Sequence, residues 1–235
     1  AAFSTTGTGS DVTLVNVDAG TQLGASSIGG DLSVTASAGS LTQTGALTVA
    51  GTSSFAATAS NQDITLDNAG NALTGAITLN TGTGANTTAD AALVNNAAGG
   101  LALAASTVRG TLDVTASQGN LTQTGAITTS GAGNQTFTTS AAGADIDLGN
   151  TSNSFAGTVV LNTNGASGDA TIADSSLTLG ASTIGGGLTV ITDTLGGTGA
   201  VTVGSDLIFQ TITASRNIRL GGTTAFIGLN IYDTQ

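Results

Sequence analysis

The stretch "SLTQTGALTV" (40–49) returns 80 positions later as "NLTQTGAITT" (120–129), and neither copy contains a charged residue. In both copies Leu or Ile alternates with polar or small residues such as Thr and Gln. This alternation has the two-residue period of a half-buried β-strand. A glycine, Gly45 or Gly125, interrupts each copy at the same place and predicts a corner. A phrase that returns at a fixed offset indicates a repeat architecture.

The rest of the chain keeps this period. "LGASSIGGDLSV" (23–34) returns as "LGASTIGGGLTV" (179–190), and the aromatic residues Phe55, Phe137 and Phe209 occupy equivalent places. The pattern predicts one solenoid over 1–235 that is cut out of phase and forms a section of something longer. Its units are the end of one repeat (1–22), repeat 1 (23–102), repeat 2 (103–178) and a partial repeat 3 (179–235).

The composition predicts an all-β protein. The chain has no Lys, Glu or Met and only three Arg, so several of the residues that usually cover exposed helix faces are missing. Hydrophobic residues make up 39% of the chain and charged residues only 7%, which is the opposite of the balance in disordered proteins.

A repeat of about 80 residues is too long for one solenoid coil, so we divide it into coils of about 20 residues with roughly three short strands each. The whole chain would then form about 11–12 coils, in a rod of about 55 Å. Because parallel strands prefer right-handed crossovers, the predicted fold is a right-handed parallel β-helix, that is, a β-solenoid.

Small residues suggest how the coils turn. Alanines at strand-like positions are predicted to point inward, and recurring glycines are predicted to adopt positive φ at corners. Two asparagine pairs, Asn68 with Asn150 and Asn80 with Asn162, are candidates either for hydrogen-bonded stacks inside the turns or for ordinary turn residues. The alanines are Ala36, Ala46, Ala57, Ala116 and Ala126, and the glycines are Gly45, Gly75, Gly125 and Gly157.

The charge argues against several partner classes. The formal net charge is −11, and all fourteen acidic residues are scattered aspartates. Nucleic acid and anionic membrane surfaces require clustered Lys and Arg, so we expect no nucleic-acid partner. The longest apolar runs are a few residues, which predicts no transmembrane helix. The first residues, "AAFSTTGTGS" (1–10), lack the basic and apolar regions of a signal peptide.

Catalysis would require acid, base or nucleophilic groups close together. The chain has no His, Lys or Cys, and its best carboxylate pairs are Asp145 with Asp147 and Asp63 with Asp67. We interpret these pairs as a solvated outer face and Arg216 and Arg219 as surface charge. The prediction is a protein with no catalytic residue and no enzyme activity.

Two further ligand patterns fail on their spacing. The Ca²⁺-binding nonapeptide needs Asp where "GGTGAV" (196–201) has Val201, so we predict no metal and no cofactor. Ice-binding solenoids need a Thr-x-Thr in every coil. Here "TQT" (42–44 and 122–124) recurs only once per repeat, and "TIT" (211–213) occurs once, outside that spacing. The threonines are better explained by β propensity.

The phrases at 23–51, 63–80 and 179–190 resemble the repeats of large filamentous-haemagglutinin-like proteins, the exoproteins of two-partner secretion and autotransporter-type systems of Gram-negative bacteria. The resemblance implies a β-helical stalk at the cell surface, export through an outer-membrane translocator, and roles in adhesion, biofilm formation or toxin delivery. The Asn-Pro-Asn-Gly type motif of the family's secretion domain is absent, since "NTNGA" (162–166) lacks the proline.

Three functions remain open at this point. The favoured one is an extracellular structural shaft of a bacterial adhesin or surface fibre, which contacts neighbouring repeats of its own protein. The first alternative is a fibre subunit that docks end to end through open solenoid edges. The second is a carbohydrate-binding or carbohydrate-active β-helix acting on host or biofilm glycans. The final segment (206–235), in which the pattern loosens, is predicted to be a cap, a docking edge or the passage into another domain.

Overall fold

The computed structural model describes residues 1–82 and 88–214. These residues form an all-β parallel solenoid of about nine turns, with about 21 residues per turn and no helix. The predicted fold and turn length are therefore confirmed. The estimate of 11–12 coils covered the whole chain, including residues outside the described part. The right-handed winding stays a prediction.

Most of the described strands are short, because a corner residue interrupts the alternating pattern after a few positions; Asn134–Ala142 with nine residues and Thr158–Asn164 with seven are the longest. The strands are β1 (Val12–Asn16), β2 (Thr21–Leu23), β3 (Ser26–Ile28), β4 (Leu32–Ala36), β5 (Leu41–Gln43), β6 (Leu47–Val49), β7 (Ser53–Ala57), β8 (Ile64–Leu66), β9 (Ala72–Leu73), β10 (Ile77–Asn80), β11 (Ala91–Asn95), β12 (Leu101–Leu103), β13 (Ser106–Val108), β14 (Leu112–Ala116), β15 (Leu121–Gln123), β16 (Ile127–Thr129), β17 (Asn134–Ala142), β18 (Ile146–Leu148), β19 (Thr158–Asn164), β20 (Ala170–Ala173), β21 (Ser176–Leu179), β22 (Ser182–Ile184), β23 (Leu188–Ile191), β24 (Thr194–Gly197), β25 (Val201–Val203) and β26 (Leu207–Gln210).

The strands pair in parallel into three sheets. Sheet I follows the order β1-β4-β7-β10-β12-β15-β18-β20-β23-β26 and also contains β13 and β16. Sheet II follows β2-β5-β8-β11-β14-β17-β19-β21-β24 and also contains β22 and β25, whereas sheet III is β3-β6-β9. Sheet III lies on the same side of the solenoid as sheet II, because the Leu73 amide of β9 donates to the Asn95 side chain at the end of β11.

Each turn has a straight side and a bent side. A straight side is one strand such as β4, and a bent side is two short strands such as β5 and β6 with a corner between them. A bent side also stacks on a straight one: β10 pairs with β12 through Ile77 and Leu103, and with β13 through Asn80 and Thr107. This tolerance allows the two kinds of side to exchange places along the solenoid.

The exchange occurs once per repeat. Counted from β2, which ends at the first residue of repeat 1, the repeat comprises the sides β2–β3, β4, β5–β6, β7, β8–β9, β10 and β11. These are seven sides and therefore three and a half turns. Because seven is odd, repeat 2 begins on the opposite side. Thus Leu32 of repeat 1 lies in sheet I, and its equivalent Leu112 lies in sheet II. Two repeats restore the original side, since the equivalent Leu188 is again in sheet I.

The core is a continuous column of Leu, Ile, Val and Phe between the two sides. Inward residues of successive turns cover one another, as Leu93 of β11 does with Leu66 of β8 and Val114 of β14. Ala36, Ala57 and Ala116 are fully buried as predicted. The prediction was wrong for Ala46 and Ala126, which are only partly buried because they lie in the corners of bent sides.

The four corner glycines are needed for a different reason from the predicted one. None of Gly45, Gly75, Gly125 and Gly157 has a positive φ. A Cβ on Gly45 would instead overlap the backbone nitrogen of Ala25 in the preceding turn, and one on Gly125 would overlap that of Ala105. Glycine is therefore required where one corner stacks directly on another.

Candidate functional site

The carboxylate pairs from the sequence do not form a catalytic pair. Asp145 and Asp147 flank Ile146 on the outer surface, but each side chain is bonded to backbone. The Asp145 Oδ1 accepts from the Asp169 amide (2.9 Å), and the Asp147 Oδ1 accepts from the Gly149 amide (3.1 Å). In the other copy, Asp67 is exposed. Hydrogen bonds to backbone therefore account for the first pair and for Asp63, whereas Asp67 is a solvent-exposed residue.

The Asp145 contact belongs to a recurring arrangement that we call the aspartate ladder. In each case an aspartate lies directly before a strand, and its Oδ1 accepts the amide of the equivalent residue one turn later. The acceptor–donor pairs are Asp11–Asp31, Asp31–Thr52, Asp63–Asp90, Asp90–Thr111, Asp145–Asp169 and Asp169–Gly187, at 2.6–2.9 Å. Much of the acidic charge therefore holds successive turns together.

A hydrogen-bonded pair of a partly buried glutamine and a buried asparagine explains the phrase "LTQTGA". In repeat 1 the Gln43 Nε2 donates to the Asn71 Oδ1, and the Asn71 Nδ2 donates to the Gln43 Oε1, both at 2.9 Å. Asn71 is fully buried. Its Oδ1 also accepts the Leu47 amide (2.9 Å), and its Nδ2 donates to the Leu66 carbonyl (3.0 Å).

Repeat 2 contains the same pair on the opposite side of the solenoid. Gln123 and Asn153 exchange two bonds of 2.9 Å, and Asn153 also accepts the Ile127 amide and donates to the Leu148 carbonyl. Since burying an unsatisfied amide is costly, both members are needed in each copy. The sequence signal was available in the repeated Gln and in the Asn that precedes Ala72 or Ser154.

The sequence analysis had selected different asparagines. Asn68 and Asn150 each accept the amide two residues later, from Gly70 and Ser152, and so act as ordinary turn residues. Asn80 likewise accepts from the Gly82 amide. The interpretation as turn residues, which was left open, is confirmed for these three. It was wrong for Asn162, which lies inside strand β19. Among the described residues, the buried asparagines are Asn71, Asn95 and Asn153.

Serine and threonine fix the place where the straight and bent sides exchange. The Oγ of Ser26, Ser106 and Ser182 accepts the amide of Phe3, Leu79 and Leu161 respectively. The Oγ1 of Thr5, Thr81 and Thr163 accepts the amide of Gly29, Arg109 and Gly185. This threefold agreement shows that residues 3–5 are equivalent to residues 79–81 and 161–163.

A third set of equivalent residues, Asn16, Asn95 and Asp174, ends the last straight side of each repeat. The Asn95 Oδ1 accepts the Leu73 amide (2.8 Å), and its Nδ2 donates to the Leu73 and Gly100 carbonyls. Asp174 accepts the amides of Phe155 and Ser176. Burial raises the pKa of the Asp174 carboxyl above its ordinary value, against the opposing effect of these backbone bonds.

The chain matches the family described as repeats of unknown function (DUF5649) over residues 9–80, 87–162 and 167–230. The chain belongs to this family. Comparison with curated proteins gave no match, and comparison with solved structures gave none. The resemblance to filamentous-haemagglutinin-like repeats has no counterpart in these comparisons.

The DUF5649 repeats offer few groups for ligand chemistry in residues 1–82 and 88–214. Within those residues no group of three His, Cys, Asp or Glu side chains could hold a metal ion. The described part also has no helix that is long and apolar enough to cross a membrane. Arg216, Arg219, Phe226 and Tyr232 lie outside the described residues.

The two "TQT" phrases of the DUF5649 repeats face opposite ways. Thr42 belongs to β5 in sheet II, and Thr122 belongs to β15 in sheet I. The repeat therefore places its equivalent threonines on two sides, and they do not form one continuous array.

Proposed function

We propose that this chain is a section of a structural shaft in an extracellular adhesin or surface fibre of a Gram-negative bacterium. One observation carries the proposal: the polar side chains that recur between repeats are bonded to neighbouring turns. The Gln43–Asn71 pair and the aspartate ladder are the main cases. Their recurrence is accounted for by the building of turns.

The exchange of sides suits a long rod. Any feature that bends the solenoid toward one side in repeat 1 recurs on the opposite side in repeat 2, so successive bends cancel. With parallel strands stacked about 4.8 Å apart, the nine described turns rise about 43 Å. Each repeat of three and a half turns adds about 17 Å. An array of such repeats would extend straight from the surface that anchors it.

The surface chemistry supports an exposed location. Arg109 is the only Lys or Arg in the described residues, and its Nε donates to the Gly82 carbonyl. Proteases that cleave after Lys or Arg therefore find few sites. Export through an outer-membrane translocator rests on the resemblance of the repeat phrases to filamentous-haemagglutinin-like proteins.

Two measurements test the shaft function. Electron microscopy of the isolated chain should show short separate rods, and a glycan array with a reducing-sugar assay should give neither binding nor product. A specific glycan that binds, or sugar that is released, would contradict a purely structural role. Substituting the aspartates nearest the bound sugar would then locate the site.

A second candidate, a fibre subunit that assembles end to end, is favoured by the open edge at β1. This strand pairs with β4 on one side and has no strand on its other side among the described residues. Long filaments in the same electron micrographs would support this candidate over the separate shaft segment.

A further inference from the structure

The first turn exposes hydrophobic side chains, including one whose equivalents in later turns are buried. Leu14 is only partly buried, whereas its equivalents Leu93 and Ile172 are 1% and 0% exposed. In the same turn, Val15 and Val17 are 59% and 63% exposed. An open hollow of about 460 Å³ lies against Leu14, Asn16 and Thr21.

The inner copies of β1 show what covers such a strand. β11 is covered by β8, with Ala91 opposite Ile64 and Leu93 opposite Leu66. β20 is covered by β18, with Ala170 opposite Ile146 and Ile172 opposite Leu148. Both covering strands follow an aspartate and read Asp-Ile-x-Leu, as "DITL" (63–66) and "DIDL" (145–148).

Polar groups of the first turn are arranged for the same partner. The Asn16 Nδ2 donates to the Gly20 carbonyl, much as the Asn95 Nδ2 donates to the Gly100 carbonyl. Asn95 makes two further bonds, to the Leu73 amide and carbonyl in the turn beneath it. The Asn16 Oδ1 instead accepts the Asp18 amide of its own turn (3.3 Å), and no described residue of a preceding turn bonds to the Asn16 side chain. Val12 donates, and Asn16 accepts, toward the next turn, so the Thr13 and Val15 amides of this parallel strand point to the open edge.

We propose that this edge, formed by β1, Asn16 and the hollow beside them, is an interaction surface for an Asp-Ile-x-Leu strand of a further repeat of the same family. The strand's Ile and Leu would cover Val12 and Leu14, and its Asp would accept the Asp11 amide, as Asp63 and Asp145 do in the inner turns. The inference rests on the proposed shaft function in one respect, namely that the occupant is another repeat.

The repeat itself supplies the matching test. The Ala1 carbonyl accepts the Gly24 amide just as the Val159 carbonyl accepts the Gly180 amide, so Ala1 is equivalent to Val159. A chain that carries a copy of residues 144–158 ahead of Ala1 therefore continues the repeat in register. The added copy places "DIDL" beneath β1 and a phenylalanine amide beneath Asn16.

Hydrogen exchange followed by mass spectrometry or NMR should show the Thr13 and Val15 amides exchanging at least tenfold more slowly in the extended chain. A matched control carries the same extension with Ile146→Ser and Leu148→Ser in the added copy only, and it should not slow the exchange. Amides of β20 and β23 should be unchanged in every variant, which confirms that the rest of the solenoid is folded.

A second variant tests the polar contact. Asn16→Ala should remove much of the added protection in the extended chain while it changes exchange little in the parent. Equal exchange at Thr13 and Val15 in the parent, extended and control chains would overturn the proposal. That result would be independent of the shaft function, which the micrographs and glycan measurements decide separately.

Discussion

Repeat 1 and repeat 2 have closely related sequences and lie on opposite sides of the molecule. Leu41 of repeat 1 is in sheet II and pairs with Ile64, whereas the equivalent Leu121 is in sheet I and pairs with Ile146. The difference shows that one sequence repeat corresponds to a whole number of sides, seven, and not to a whole number of turns. A repeat protein built in this way alternates its surface without changing its sequence.

The two repeats also differ in three buried details. Before Phe137, repeat 2 has two residues more than repeat 1 has before Phe55, and it places Gln135 where repeat 1 has Ser53. At the end of the last straight side, Asp174 replaces Asn95. In the core, Phe155 replaces Leu73 and packs edge-on against Phe137, with ring centroids 5.7 Å apart. These differences allow the repeats to be compared by substitution.

The largest expected effect is at the buried asparagine that both repeats share. Asn153→Ala would leave the Ile127 amide and the Leu148 carbonyl without their partner and would free the Gln123 amide. We expect a loss of about 4 kcal/mol in the free energy of unfolding, measured by urea unfolding. Asn71→Ala should cost the same within about 1 kcal/mol, because Asn71 makes the equivalent contacts and one further bond, from its Nδ2 to the Val94 carbonyl (3.1 Å).

The exposed turn residue Asn150 is the matched control for this comparison. Asn150→Ala removes one bond, to the Ser152 amide, and should cost about 1 kcal/mol or less. Equal losses at Asn150 and Asn153 would show that the buried pair does not hold the turns together. A large difference between Asn71 and Asn153 would show that the side of the solenoid matters.

Gln135 provides the next largest effect, and it is specific to repeat 2. In repeat 1 the Leu32 amide donates to the Thr52 carbonyl, whereas in repeat 2 the Leu112 amide donates to the Gln135 Oε1 at 2.8 Å. The glutamine therefore replaces a carbonyl that the longer corner moves away. Gln135→Ala should cost about 3 kcal/mol in urea unfolding, because it leaves a buried amide unpaired and a void beside it.

A loop exchange sharpens this result. Replacing residues 132–136 by Thr-Ser-Ser gives repeat 2 the corner found at residues 52–54. The shortened corner should recover most of the stability lost in Gln135→Ala, since a backbone carbonyl again faces Leu112. If the shortened chain is as unstable as Gln135→Ala, the glutamine has a role beyond that one bond.

Asp174→Asn should stabilise repeat 2 by less than about 1 kcal/mol at neutral pH. The neutral amide removes the buried charge and adds the donor that Asn95 uses on the Leu73 carbonyl, which outweighs the loss of the acceptor for the Ser176 amide. The pKa of Asp174 is raised by burial from 3.8. The folded state therefore binds this proton more tightly than the unfolded chain, so stability falls as pH rises from 3.8 through the raised value. The variant's amide does not titrate and has no such loss.

The advantage of the Asp174→Asn variant should consequently shrink when the pH is lowered below 3.8. Thermal unfolding of both chains at neutral and acidic pH measures it. Asn95→Asp in repeat 1 should show the reverse change, with a loss at neutral pH that becomes smaller in acid. A constant difference at all pH values would show that the charge of Asp174 has no part in it.

The fold could be predicted from the sequence because the strands carry a two-residue alternation and many of the corners carry a glycine or an asparagine. The exchange of sides could not be predicted from the sequence. Straight and bent sides have the same alternating residue pattern, and only the strand pairing distinguishes them. Likewise, Gly45 and Gly125 look like positive-φ corners, and only the stacked position of Ala25 and Ala105 shows that close approach requires glycine. The buried role of Asn71 depends on its contact with Gln43, 28 residues away.

Ser53 offers the smallest effect and completes the comparison with Gln135. Its Oγ is buried and has no hydrogen-bond partner. The Leu32 amide, whose equivalent in repeat 2 binds the Gln135 side chain, donates to the Thr52 carbonyl and not to Ser53. Ser53→Ala should therefore leave the free energy of unfolding unchanged or raise it by less than about 1 kcal/mol. The equivalent positions of the two repeats would then respond in opposite directions, because only the longer corner of repeat 2 has given its side chain a bond to make. A loss above about 1 kcal/mol in Ser53→Ala would mean that the Ser53 hydroxyl has a partner after all, and that the two corners are more alike than their lengths indicate.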